Sequence, residues 1–142
     1  MKLFLLIFLL PFTSTPIGYR QLQWSDFKGK PPANTEAMAC TCTNIVIGLD
    51  TAYGIFISEK SWTKTRDAAL LRHEQLHFSI TESHAKKLCM WIKVYNGMDK
   101  NERPAIGELL SKWRLTQELY ELETDHGRDS TAQRRWEEQI KL

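Results

Sequence analysis

The sequence predicts an α+β fold in which a short antiparallel or mixed sheet packs on one long helix, with further helices toward the C-terminus. Three observations support this fold class. Two β-branched apolar stretches precede residue 60, good helix formers without Pro or Gly fill residues 67–93, and two more helical patterns follow residue 105. With 142 residues and 42% hydrophobic content, the chain is long enough for one domain with its own core.

The N-terminus has the layout of a secretory signal peptide. Met1-Lys2 is a short positive start, Leu3 to Phe12 is apolar, and small polar residues follow at positions 13–15. The apolar run is short for a membrane span, although it could also be a buried element of the domain. We expect a signal peptide over residues 1–17, a mature domain over residues 18–142, a secreted or periplasmic location, and no membrane span after signal removal.

Charge and cysteine content exclude some classes of protein. The net charge is only +2 and both signs are interspersed, so nothing in the composition supports nucleic-acid binding. The cysteines are Cys40, Cys42 and Cys89, an odd number for an exported chain. A bridge from Cys89 to either of the others is possible, but we treat all three as structural or incidental.

The strands are expected in the first half of the chain. Alternation over Gln21–Trp24 suggests a short strand, which the turn at Lys28–Pro32 would end. Ala37–Leu49 and Tyr53–Ser58 have the composition of two further strands. Gly48–Ala52 is short enough to join them as a hairpin.

Three helices are expected after the strands. The first spans Ala68–Tyr95, with Asp67 at its N-terminus and Asn96-Gly97 as its stop, and a polar loop follows to Pro104. The second spans Ile106–Glu123. The third begins at a cap formed by Ser130 or Thr131 and runs to Ile140.

The long helix carries an H-E-x-x-H pattern at His73, Glu74 and His77. Helical spacing places the two histidines about one turn apart on one face, where both imidazoles can reach a single metal ion. Glu74 lies beside that face and can contact a metal-bound water, which is the general-base position of a zinc hydrolase. The alternative is that both histidines are ordinary helix residues, one solvated and one in the core.

A hydrolytic zinc site needs a third protein ligand. The H-E-x-x-H-x-x-G-x-x-H extension is excluded, because Ile80 and Ser83 stand at its Gly and His positions. His84 is seven residues past His77, about 10 Å along a straight helix, and is too far to share the ion.

Three candidate ligands remain at the end of the second helix. We favour His126, because Gly127 beside it would let the backbone turn and present the imidazole, with Glu123 and then Asp125 behind it. Glu123 could also orient a ligand histidine through a hydrogen bond. The alternative is a charged helix end in which His126 only interacts with the helix dipole.

Several segments together resemble a bacterial family of exported zinc-dependent proteases known as the domain of unknown function 922. Two positions depart from the family's pattern: Ser79 stands where an Asp usually follows the Phe, and Glu121 where an Asp usually follows the Tyr. The segments that carry the resemblance are Trp24–Pro32, Lys60–Trp62, Leu70–Glu82 and Glu123–Gly127.

The resemblance implies a zincin-like α+β domain and peptidase activity. Our hypothesis is that His73, His77 and His126 hold Zn²⁺ and that Glu74 is the general base. Tyr120 or His84 would stabilise the oxyanion. We expect a monomer whose partner is a peptide or protein substrate.

Two other classes of protein remain as alternatives. One is a non-catalytic zinc-binding or interaction module of the cell envelope, in which a fourth ligand from Glu123 or Asp125 would close the site. The other is a helical binding domain without metal. The carboxylate of Glu74 favours the hydrolase, since neither alternative needs it.

Overall fold

The computed structural model describes residues 20–96 and 106–140. The predicted signal peptide lies outside these ranges, as does the loop after Asn96. Within them, three α-helices follow four short strands, which confirms the α+β class. None of the described helices is both long and apolar enough to cross a membrane. The elements are β1 Ala39–Cys40, β2 Thr43–Ile47, β3 Ala52–Phe56, β4 Trp62–Thr63, α1 Ala68–Tyr95, α2 Ile106–Glu123 and α3 Ser130–Gln139.

The strands form two antiparallel pairs, β1 with β4 and β2 with β3. The predicted hairpin is confirmed, and Gly48 N donates to Thr51 O across its turn at 2.8 Å. Gly54 in β3 faces α1 so closely that a Cβ atom there would lie 3.2 Å from Thr81 Cγ2. A glycine at this position therefore lets the hairpin pack tightly on the long helix.

Two strand predictions are wrong, and one strand was not predicted. Gln21–Trp24 is not a strand: a 3-10 turn begins at Trp24, and the chain before it is held by Leu22 N donating to Gln75 Oε1 at 2.6 Å. Ala37–Leu49 is divided between β1 and β2, which pair with different partners. β4 was not predicted, because a two-residue strand has no periodicity to detect.

The predicted helix bounds of α1 and α2 are confirmed. Asp67 caps α1 as expected, since its Oδ1 accepts from Leu70 N at 2.8 Å. The cap of α3 is Asp129 instead of Ser130 or Thr131, because the Asp129 carboxylate accepts from two free N–H groups of the first turn. The helix ends at Gln139.

The main core lies between α1, the β2–β3 hairpin and the two C-terminal helices. A smaller cluster of Leu22, Phe27 and Phe78 joins the N-terminal segment to the other side of α1. All three cysteines are free thiols. The largest buried side chains of the main core are Ile45, Leu76, Ile80, Leu88, Ile92, Trp113, Tyr120 and Trp136.

Glu82 is a buried carboxyl in the middle of α1, only 8% exposed, and its Oε2 has no hydrogen-bond partner among the described residues. Desolvation raises its pKa from 4.5 to about 7. The unfolded chain therefore loses this proton at lower pH than the folded chain does. Stability is highest below the unfolded pKa and falls as the pH rises toward the folded pKa.

We expect the Glu82→Gln variant to lack this pH dependence. Its free energy of unfolding relative to wild type should rise by about 1–2 kcal/mol between about pH 5 and about pH 8, after allowance for solvent screening. Urea titrations at both pH values measure the difference. A constant difference would contradict a raised pKa of Glu82.

Candidate metal centre

Three side chains from two helices converge on one point. His73 and His77 lie one turn apart on α1, and Glu121 reaches them from the last turn of α2. Glu121 Oε2 lies 3.1 Å from His73 Nε2 and 2.9 Å from His77 Nε2, and the two Nε2 atoms are 3.3 Å apart. The edges of a tetrahedron around a zinc ion with ligands at about 2.0–2.1 Å are about 3.3–3.4 Å long. The three atoms are therefore spaced as ligands of one metal ion.

The tautomer of His77 follows from its partner on α2. Gln117 Nε2 donates to His77 O at 2.8 Å and to Thr81 Oγ1 at 3.0 Å, which fixes the orientation of the amide. Gln117 Oε1 then faces His77 Nδ1 at 2.7 Å. Since an amide oxygen can only accept, Nδ1 carries the proton and the Nε2 lone pair is left for the site.

His73 is oriented in the same way from α3. Gln133 Nε2 donates to Glu137 Oε1 at 3.1 Å, so that Gln133 Oε1 faces His73 Nδ1 at 3.2 Å. Tyr120 packs against both imidazoles, stacked on His73 and edge-on to His77, with ring centroids 4.8 Å from each. Each imidazole is thus held by a hydrogen bond on one side and an aromatic ring on the other.

The atoms that meet at the centre are therefore the two imidazole Nε2 atoms, each with a lone pair, and a carboxylate oxygen. All three are acceptors, so the cluster requires a positive charge among them, either a proton or a metal ion. Two imidazole nitrogens and one carboxylate are a donor set suited to Zn²⁺ and common in catalytic zinc sites. The described residues thus form a possible metal-binding triad, His73, His77 and Glu121.

The pKa values of Glu121 and His77 show the same electrostatics. Burial acts to raise the pKa of Glu121, but its contacts with His73, His77 and His126 outweigh burial and hold the pKa well below its usual range. Burial acts to lower the pKa of His77, but the hydrogen bond to Glu121 and the charge of Glu74 raise it. The carboxylate is therefore ionised and the site attracts cations.

A tight turn after α2 packs against His73. Asp125, His126 and Gly127 are three consecutive residues with positive φ, at 47°, 57° and 80°. Left-handed backbone is unfavourable for the first two, so the turn must be held by its surroundings. Gly127 lies directly against His73: a Cβ atom at this glycine would be 2.8 Å from His73 Cγ.

We expect Gly127→Ala to disturb both the fold and the site. Strain at φ 80° and the clash with the buried His73 ring should lower the free energy of unfolding by about 1–3 kcal/mol and weaken metal binding. The matched control is Gly107→Ala in α2, where an added Cβ would meet nothing within 4 Å. Thermal unfolding should show that the control is neutral or stabilising; equal losses in both variants would contradict the packing argument.

Two members of the triad, His73 and Glu121, line a cleft of about 610 Å³. Residues 36–39, which lead into β1, the start of α1 and the turn at 126–128 also line it. Glu74 also lines the cleft; it is only 3% exposed, and its Oε2 has no hydrogen-bond partner among the described residues. A buried carboxylate oxygen without a partner is uncommon and makes Glu74 a candidate functional residue of this cleft.

The structure brings together His73, Glu74 and His77 as the sequence predicted, but Glu121 completes the triad where we expected His126. The His126 side chain is 64% exposed, and its Nδ1 lies 2.5 Å from Glu121 Oε1, the oxygen that faces away from the two histidines. His126 therefore contacts the third member of the triad without joining it.

The other candidate ligands are engaged elsewhere. Glu123 Oε2 accepts from Arg135 at 3.0 Å and from Trp136 Nε1 at 2.9 Å. Asp125 accepts from Arg128 at 3.2 Å in an exposed pair. Both carboxylates thus stabilise the local structure and are not members of the triad.

Neither residue suggested for the oxyanion lies at the cleft. Tyr120 is fully buried, and its hydroxyl lies 2.7 Å from Gln133 Oε1 and 3.0 Å from His73 O. His84 is not among the residues that line the cleft. Side chains that can donate hydrogen bonds and do line it include Thr65, His126 and Arg128.

Comparisons with family models, with curated proteins and with solved structures found no match to this chain. The resemblance to the domain of unknown function 922 therefore stays a prediction, as does the zincin-like fold. The function is therefore inferred from the geometry of the site.

The sequence analysis did not predict Glu121 as a ligand, nor the two glutamines that orient the histidines, Gln117 and Gln133. A signal for part of this set was present in α2, where polar residues recur at spacings of three and four. Those residues share the face that packs on α1, and buried polar positions on such a face indicate a site. They are Gln117, Tyr120, Glu121 and Thr124.

Proposed function

We propose that this protein is a zinc-dependent metallopeptidase, with His73, His77 and Glu121 as metal ligands and Glu74 as general base. The observation that carries the proposal is the convergence of three acceptor atoms spaced like zinc ligands, beside a buried glutamate whose Oε2 has no partner among the described residues. When bound at such a triad, zinc supplies Lewis acidity that polarises a carbonyl group and makes water more acidic.

The residues of the chain supply the orientation of the ligands and the transfer of protons. The glutamines and Tyr120 fix both imidazoles, so that little reorganisation is needed when the metal binds. Glu74 takes a proton from the attacking water at its carboxylate and passes it to the leaving amine nitrogen as the C–N bond breaks. Burial of Glu74 keeps competing water away from that carboxylate.

The proposal of a peptide substrate is supported by residues 36–39, which line the cleft. Within the described part of the chain, β1 pairs only with β4, which leaves its other edge unpaired. An extended peptide could add to such an edge through backbone hydrogen bonds, a common mode of peptide recognition. Ala39 of β1 lines the same cleft as Glu74 and Glu121.

The alternative of a structural zinc module needs a fourth protein ligand. Glu123 and Asp125, the residues expected to supply it, are held by Arg135, Trp136 and Arg128. Three ligands with an adjacent open cleft support the catalytic type of site.

The test begins with the purified mature protein. Mass spectrometry should find about one zinc per chain, and a proteome-derived peptide library should show cleavage that stops on chelation and returns with added zinc. Absence of zinc after metal-replete purification would overturn the whole proposal. Bound zinc without any cleavage would retain the metal site and overturn the peptidase.

A further inference from the structure

His126 is an unusual residue for a surface turn. It has φ 57°, a conformation that is unfavourable for a residue with a β-carbon, and its imidazole is directed at a single atom, Glu121 Oε1. The carboxylate is an acceptor, so Nδ1 of His126 must carry the proton and donate it. The strained turn thus provides one hydrogen-bond donor at the outer oxygen of Glu121.

The two oxygens of Glu121 have different partners as a result. Oε2 faces both Nε2 atoms of the α1 histidines, whereas Oε1 is occupied by His126. A carboxylate on the last turn of a helix, 36% exposed, would otherwise be free to rotate or to present both oxygens. The contact with His126 selects one orientation and one ligating oxygen.

We propose that His126 is a positioning residue, which holds Glu121 so that only Oε2 is presented to the metal. This inference rests on the metal-binding part of the proposed function and is independent of peptidase activity. By occupying Oε1, His126 would leave only Oε2 of Glu121 to hold a metal ion. The backbone strain at residues 125 and 126 is the cost of placing this donor.

The turn itself suggests a matched pair of variants, His126→Gly and His126→Asn. Glycine and asparagine are the two residues that best tolerate left-handed backbone, so both keep or relieve the strain of the turn. Asparagine places an amide N–H at the same distance along the side chain as Nδ1 and can donate to Glu121, whereas glycine cannot. The two variants therefore differ in the hydrogen bond and little else.

The measurement is the zinc dissociation constant by competition with a chromophoric chelator, beside thermal unfolding of the metal-free proteins. We expect His126→Gly to weaken zinc binding by about 10- to 100-fold and His126→Asn to stay close to wild type. Metal-free stability should be unchanged or higher in both. A purely structural role of His126 would instead lower stability and leave zinc affinity alike in the two variants.

Other outcomes separate this inference from the proposed function. Equal loss of zinc in both variants would make His126 itself a ligand, since a neutral amide is a poor zinc ligand, and would overturn positioning. Unchanged affinity in both would show that the contact has no effect and would also overturn it. If His126→Gly weakens zinc binding and His126→Asn does not, but the protein cleaves no peptide, the positioning role of His126 stands. Only the peptidase proposal is then overturned.

Discussion

Replacing Glu121 with Gln is expected to weaken zinc binding by about 100-fold or more, the largest loss of affinity among the carboxylates near the site. The substitution keeps the volume of the side chain but removes the charge that faces two imidazole lone pairs. The remaining histidines would then be two neutral ligands without a counter-charge for the cation. Chelator competition and zinc content of the purified variant measure the loss.

The matched controls are the two neighbouring carboxylates, tested as Glu123→Gln and Asp125→Asn. Both should keep wild-type zinc affinity, because their side chains bind Arg135, Trp136 and Arg128 instead of the triad. Glu123→Gln should lower the melting temperature, since it weakens the contact between the end of α2 and α3. Loss of zinc in either control, with Glu121→Gln unaffected, would overturn the assignment of the third ligand.

The Glu74→Gln variant is expected to keep its zinc and to lose about 100- to 10,000-fold in kcat for peptide cleavage. The amide fits the same space but cannot accept a proton from water. Because Glu74 is not one of the three ligands, zinc affinity should stay close to wild type. Single-substrate kinetics on the best peptide from the library, with zinc content measured in the same sample, separate these two effects.

Glu82→Gln is the control for this substitution. Glu82 is a second buried glutamate on the same helix, but it does not line the cleft. Its replacement should leave kcat unchanged while altering the pH dependence of stability. A Glu74→Gln enzyme with wild-type kcat, or equal losses in the two variants, would rule out Glu74 as the general base.

The helices were the most predictable part of this protein. The bounds of α1 and α2 follow from unbroken runs of helix formers and from the cap at Asp67, all of which act within a few residues along the chain. The cap of α3 was misplaced by one or two residues, since Asp129 stands where Ser130 or Thr131 was predicted. Asp129, Ser130 and Thr131 can all act as caps, and the geometry of the preceding turn decides among them.

The strands were less predictable, because pairing partners lie far apart in sequence. The β2–β3 hairpin was found through its short turn. The separation of β1 from β2 depends on Ser61, whose Oγ accepts from Cys42 N at 2.9 Å and so ends the pairing at that point. A contact between residues 42 and 61 leaves no trace in the local pattern of either segment.

The candidate site shows the same division between local and distant effects. The H-E-x-x-H spacing by itself determined that His73 and His77 share a helix face and that Glu74 lies beside it, because helical geometry is local. Only the tertiary structure decided which acidic residue of α2 completes the triad. Glu121 and Glu123 are two residues apart, so they point to different sides of the helix.

The packing of α2 on α1 turns Glu121 toward the histidines, and α3 holds Glu123 through Arg135 and Trp136. Composition and local spacing thus determined the helices and half of the site. The third member of the triad and the glutamines that orient the imidazoles were set by how three helices pack. Such contacts join residues 40 or more positions apart, which local sequence patterns do not encode.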